Sequence, residues 1–178
     1  MSYYEQMLRG EREFMAALME MDSNRTFYPD ANFTQRMSYG TVGGYWPRDA
    51  VWYDYYTTAQ GIMEKQKPGD PEFNVQEEIL DQIRNGDFGP YVDNKGVMRV
   101  NFLSTNDITG GNSGSPVLNG NAELIGLAFD GNWESLSGDI LFEPAMQRMI
   151  SVDIRYVLFV IDKVMDAPHI VEELVVAQ

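Results

Sequence analysis

The sequence predicts a mainly β fold with α-helices at its ends, a small antiparallel β-barrel preceded by one helix and followed by others. Three observations predict it. Short segments rich in Tyr, Val, Thr and Trp, about six of them, recur between residues 33 and 152. Gly, Pro and an Asn-Gly pair punctuate them, as in small all-β architectures. Helical periodicity is confined to the two ends and one central stretch.

Residues 3–22 place Tyr4, Met7, Leu8, Phe14, Leu18 and Met19 at helical spacing with charges between them. The segment 24–30, which contains Pro29, breaks that pattern. Residues 33–46 and 50–58 have strand chemistry, with turns at Gly43-Gly44 and Pro47. Lys67 to Pro71 reads as a surface loop. Residues 75–84 predict an amphipathic helix with Val75, Ile79, Leu80 and Ile83 on one face, ended by Gly86. A strand is expected at 97–103. A hairpin is expected over 117–129, turning at Asn119-Gly120, and one more strand at 149–152. Asp153 is placed to cap a helix carrying Ile154, Val157, Leu158 and Ile161 on one side. Pro168 separates that helix from a last short one. There is no internal repeat.

Composition narrows the function. At 178 residues, 44% of them hydrophobic, the chain can bury a core. A formal net charge of -14 disfavours nucleic acid or an anionic membrane as a partner, since both are polyanions. The absence of cysteine removes disulfide frameworks, thiolate zinc sites and cysteine nucleophiles. No cofactor or metal is expected. The run Val157 to Ile161 is far short of the ~20 residues that span a bilayer. The opening MSYYEQMLRGE has no apolar core of a signal peptide. Either the protein stays inside the cell or the chain is a piece of a longer one.

The stretch TGGNSGSPVLNG, residues 109–120, carries the chemistry. Glycines flanking Ser113 allow a sharp turn, and such a turn aims the N–H groups of Gly111 and Ser113 into one hollow. A tetrahedral acyl-transfer intermediate places an oxyanion there, and losing one such donor costs about 3 kcal/mol of barrier. The plain alternative is a glycine-rich turn between strands. A nucleophile elbow does not fit, because position 115 is Ser and Pro116 leads into a hairpin. No Gly-Lys-Ser/Thr follows, which removes a phosphate loop. Asp130-Gly131, read by itself, is a hairpin turn.

The stretches TNDITGGNSGSPVLNGNAELIGL, FDGNWES, SGDI and SVDIRYVLF, with RMSYGTVGGY and PRDAV earlier, resemble the C-terminal part of the bacterial serine dipeptidyl-peptidases. That family includes dipeptidyl-peptidases seven and eleven, and the resemblance covers nearly the whole chain. It implies the second six-stranded antiparallel barrel of a chymotrypsin-like double barrel over residues 34–152. Residues 1–33 would be the end of a helical cap domain, and 153–178 helices packed on the barrel. It implies release of dipeptides from the free N-terminus of oligopeptides.

By position, the resemblance makes Ser113 the nucleophile and gives Gly111 and Ser113 the oxyanion-hole amides. Asp130 matches the carboxylate that grips the substrate ammonium group. Gly131 matches the position that sets preference for P1, the residue just before the cleaved bond. Relatives that cut after Asp or Glu carry Arg there, so Gly131 implies a hydrophobic P1, glycine leaving space and no charge. Asp107, six residues before Ser113, is read as structural. A periplasmic or cell-surface location is implied, and a homodimer is one possible assembly.

One element is missing. A serine nucleophile needs a base, usually His oriented by Asp, and the family's two both precede the serine. The only histidine, His169, follows it on the terminal helix and is expected on the surface. The chain is therefore expected to be a fragment, nearly inactive alone and needing the N-terminal barrel of the same protein as partner. The alternative is a catalytically inactive barrel module that binds peptide or a partner subunit.

Overall fold

A computed structural model describes residues 2–25, 27, 34–138 and 140–176. The chain divides into two compact units, Met1–Thr34 and Gln35–Gln178. The first contains helix α1 (Tyr3–Met21). A capping box starts it: Ser2 Oγ accepts the Glu5 N–H at 3.3 Å, and Glu5 Oε2 accepts the Ser2 N–H at 2.6 Å. No residue of α1 is buried, its apolar stripe included. Much of the expected break at 24–30, and the strand start at Phe33, lie outside the described residues.

The second unit holds seven strands among its described residues: β1 (Tyr45–Arg48), β2 (Val51–Tyr53), β3 (Tyr56–Thr58), β4 (Arg99–Ser104), β5 (Pro116–Leu118), β6 (Leu124–Gly131) and β7 (Met149–Asp153). All pairings are antiparallel. β1 and β2 form a separate hairpin, and the other five order as β3-β4-β7-β6-β5. Among the described residues β5 is not paired with β3, so the pairing draws an open five-stranded sheet where a closed six-stranded barrel was expected.

The expected strands 33–46 and 50–58 are much shorter and broken. Val42 bridges Ser104, with the Gly43 N–H on Leu103 O (3.1 Å) and the Thr105 N–H on Thr41 O (3.0 Å). β3 then pairs with the preceding part of β4. Residues 41–43 and β3 thus lie along one edge of β4, and the β1–β2 hairpin is an excursion from it.

The β5–β6 hairpin forms where Asn119-Gly120 marked it, but by another route. Its loop runs from Asn119 to Glu123. Ala122, not Gly120, takes the left-handed backbone, at φ 62°. Asn119 Oδ1 accepts the N–H groups of Asn121 (2.9 Å) and Glu123 (3.0 Å). That side chain shapes the turn, so no left-handed glycine is required beside it.

The helices follow their end signals. α3 (Glu77–Asn85) stops at Gly86, whose φ of 67° is the left-handed cap. α4 (Ile154–Phe159) starts at Asp153, whose Oδ1 accepts the Arg155 N–H at 3.0 Å. α5 (Pro168–Glu172) opens on its proline. α2 (Ala59–Lys65) was not expected. A π-helical turn, Val160–Val164, prolongs α4 and rotates the face expected from 3.6-residue spacing. Phe159 becomes the most buried residue of that helix, while Ile154, Val157 and Ile161 are half-buried.

The core sits where these helices meet β4. Ala59, Tyr91, Met98, Leu158 and Phe159 are buried together, with Ile83, Phe88 and Val100 packed around them. Burying a large apolar side chain contributes about 2 kcal/mol, so this cluster fixes the sheet from one side. The opposite end of the sheet, where β6 ends, is thereby left for polar structure.

Candidate active site

The Ser113 turn lies between β4 and β5 and is built by its own side chains. Asn112 Oδ1 accepts the Thr109 N–H at 3.0 Å, and Asn112 O accepts the Ser115 N–H at 3.0 Å. Gly111 and Gly114 adopt φ of 101° and 82°, backbone that L side chains rarely take. The turn is then clamped to β6: the Gly114 N–H donates to Ala128 O at 2.7 Å, and the Ala128 N–H to Ser115 O at 2.9 Å.

Ser113 is exposed in this turn. Its hydroxyl donates to Phe129 O at 3.4 Å, a long contact that holds it weakly. Among the described residues neither the Gly111 nor the Ser113 N–H has a hydrogen-bond acceptor. The turn therefore offers an exposed, weakly held hydroxyl and two N–H donors without acceptors on one bend. Such donors can stabilise negative charge arriving from outside.

Asp130 and Gly131 do not form the hairpin turn that the pair suggests in isolation. They are the last two residues of β6, paired with Ile150 and Met149 of β7. The register shifts between Ala128 and Asp130, so Phe129 is the extra residue of a bulge. Asp130 is exposed, and its Oδ1 accepts the N–H of Gly131 at 2.8 Å. This puts a carboxylate one residue beyond the carbonyl that the Ser113 hydroxyl touches.

The room beside Gly131 is not empty, contrary to the expectation that glycine leaves space there. A Cβ on Gly131 would stand 2.1 Å from Ser135 Oγ and 3.2 Å from Ser135 Cβ. Ser135 belongs to a 3-10 turn, Trp133–Ser137, and its Oγ donates to Asn132 O at 2.7 Å.

Behind that turn lies a buried polar frame that the sequence reading missed. Asn132 is buried; its Nδ2 donates to Met146 O (2.8 Å) and Glu134 Oε2 (2.9 Å), and its Oδ1 accepts the Arg148 N–H (2.8 Å). Gln147, 1% exposed, donates to Leu141 O and Ser137 Oγ, both at 3.2 Å. Arg148 is buried and donates to five carbonyls: Gly43 (3.2 Å), Gly44 (3.0 Å), Pro144 (2.8 Å), Ala145 (3.4 Å) and Gln147 (2.7 Å). Burial lowers the pKa of its guanidinium, which Tyr45 beside it partly offsets. Burial likewise pushes the Tyr45 hydroxyl up to about 12, and that hydroxyl donates to Glu134 at 2.7 Å. A cavity of about 10 Å³, lined by Asp107, Ser135, Phe142, Gln147 and Arg148 among others, lies inside the frame. It is the size of one water. The Asp107 carbonyl accepts from Ser38 Oγ at 2.9 Å.

His169 lies on α5, exposed. Among the described residues no imidazole or carboxylate hydrogen-bonds Ser113 Oγ. The structure thus joins Ser113, Gly111, Asp130 and Gly131 around the end of β6 and leaves His169 on another element. No described helix is long and apolar enough to cross a membrane.

Comparison with known proteins identifies the family. The family model described as Peptidase S46 matches residues 1–176. Dipeptidyl-peptidase 7 of Porphyromonas endodontalis is 63% identical over 169 residues, which are 93% of this chain and 20% of that protein. The Asp/Glu-specific dipeptidyl-peptidase of Porphyromonas gingivalis is 49% identical over 172 residues, 97% of this chain and 24% of that one. The crystal structure of Porphyromonas endodontalis DPP11 in complex with substrate superposes with a TM-score of 0.80 at 44% identity, over 89% of this chain and 23% of that one. The chain thus spans a fifth to a quarter of the length of these relatives.

Proposed function

The chain belongs to the peptidase S46 family, and on that premise we propose that it forms the nucleophile-bearing part of a serine-type dipeptidyl-peptidase. Ser113 Oγ attacks the carbonyl carbon of the second residue of an oligopeptide. Its proton passes to a base, and the Gly111 and Ser113 amides hold the oxyanion. The C–N bond then breaks, the leaving amine takes the proton, and water hydrolyses the acyl-serine to release a dipeptide. The Asp130 carboxylate pairs with the substrate ammonium, so that cleavage is counted from the N-terminus. The base and its orienting acid come from residues outside these 178.

The observation that carries this reading is the Ser113 turn, an exposed hydroxyl beside two N–H groups without acceptors among the described residues, clamped to the strand that carries Asp130 near its end. A hydrophobic P1 follows from the lack of charge at Gly131, since an apolar side chain entering beside glycine desolvates no ion. Relatives named for Asp and Glu specificity reach 51% identity, above the 48% of one relative named dipeptidyl-peptidase 7, so overall similarity does not choose the P1 class. Proximity of this site to a periplasmic or surface peptide supply is part of the same proposal.

The test is Ser113→Ala in the intact protein that carries this chain. Turnover of a dipeptidyl substrate with a free N-terminus should fall by about 10⁴-fold or more. Labelling by a serine-directed phosphonate should vanish with it. Unchanged turnover would remove Ser113 as the nucleophile. Intact peptide binding without any turnover in the unmutated protein would instead favour an inactive binding module.

A further inference from the structure

We propose that Ser135 is a second specificity-determining residue: it occupies the space that any side chain at position 131 would need, and so holds the P1 pocket free of charge. The inference rests on the reading of Gly131 as part of that pocket. Three observations carry it. Gly131 does not have the left-handed backbone that favours glycine, so conformation alone would accept another residue there. Among the described residues, Ser135 is the only one beyond the chain neighbours with an atom within 4 Å of a Cβ built on Gly131. Turning the hydroxyl away relieves the 2.1 Å contact but leaves Cβ against Cβ at 3.2 Å.

Nor can Ser135 withdraw easily. Its Oγ and its N–H both donate to Asn132 O, at 2.7 and 2.9 Å, and its carbonyl accepts the Gly138 N–H at 2.8 Å. Asn132 is in turn fixed by Met146 O and the Arg148 N–H. Even with the hydroxyl turned away, a side chain at 131 would have to shift Ser135 by a few tenths of an ångström, in a 3-10 turn whose first carbonyl belongs to the buried, hydrogen-bonded Asn132, and overpacking of that kind is destabilising. An acidic P1 side chain needs a cation to meet it. The route to such a cation at 131 therefore runs through removal of the Ser135 side chain.

The experiment uses the intact protein with Gly131→Arg, Ser135→Gly, the pair together, and Gly131→Arg with Ser135→Ala. It compares kcat/KM on two dipeptidyl substrates that share P2 and carry Glu or Leu at P1. Gly131→Arg with Ser135→Gly should raise the Glu-to-Leu ratio about tenfold above Gly131→Arg alone. Ser135→Ala should give only part of that gain, because its Cβ remains. An identical ratio for Gly131→Arg with and without Ser135→Gly would overturn the proposal. Thermal melting of Gly131→Ala, with and without Ser135→Gly, reads the packing without reference to turnover. Rescue of the melting temperature together with a shifted ratio supports the proposal. No rescue overturns the role of Ser135 alone. Rescue without a shifted ratio overturns it by removing position 131 from the pocket, and leaves the role of Ser113 standing.

Discussion

Two loops flank the end of β6 and treat their polar groups in opposite ways. The turn 109–115 uses its hydrogen bonds to hold its own shape, and leaves one weakly held hydroxyl and, among the described residues, two amides without acceptors at the surface. The segment that follows β6 instead has three polar side chains turned inward: Asn132, Gln147 and Arg148 are buried and bonded at several atoms each. Unbonded donors are what a reacting group requires, and they are tolerable at the surface. They stay aimed only if something close by is rigid. The clamp through Gly114 and Ala128 and the frame around Arg148 supply that rigidity from either side of β6.

The comparison can be broken first at the frame. Arg148→Met removes five donations from a buried guanidinium to carbonyls, so it should cost about 3 kcal/mol. Chemical denaturation measures it; a loss near that of a surface substitution would mean the frame is not what stiffens β6. Gly111→Ala sharpens the contrast. Nothing lies within 4 Å of the added Cβ, so the cost is only that of a side chain at φ 101°, about 1 kcal/mol. Turnover of the intact protein should nonetheless fall, because relaxing that backbone swings one of the two free amides. Equal losses of stability from the two substitutions would erase the distinction between the loops.

The smallest effect is expected away from both loops, at Asp93. The N–H of Val97, then that of Lys95 and the Arg99 guanidinium, hold its carboxyl below the usual range against the opposing effect of burial. A folded pKa lower than the unfolded one contributes stability above about pH 4, which is lost as pH falls through the folded value. Asp93→Asn should therefore flatten the acid limb of the stability profile and leave the Ser113 turn unaffected. A steeper limb in that variant would reverse the assigned sign.

These contrasts also explain what was legible in the sequence. Asp153, Gly86 and Pro168 act within a turn of the backbone they cap or break, and each stands where its local chemistry placed it. Ser113 was legible for the same reason, since the glycines that shape its turn are its neighbours. Arg148 reaches Gly43 across 105 residues, and nothing near it announces a buried cation. Ser135 was silent because its effect is on the Cβ direction of another residue. The split of 50–58 into β2 and β3 depends on where β4 lies, which strand propensity does not encode. Asn119-Gly120 is the intermediate case, right about the bend and wrong about which residue bends.

The carbonyl cage around Arg148 has one more effect. Among the described residues it contains no counter-ion hydrogen-bonded to the guanidinium, only fixed dipoles. Such dipoles do not titrate, and a guanidinium stays protonated throughout the working range of an enzyme. The contacts that Arg148 makes thus survive acidification, and a bell-shaped rate profile of the parent protein would not report loss of this cage.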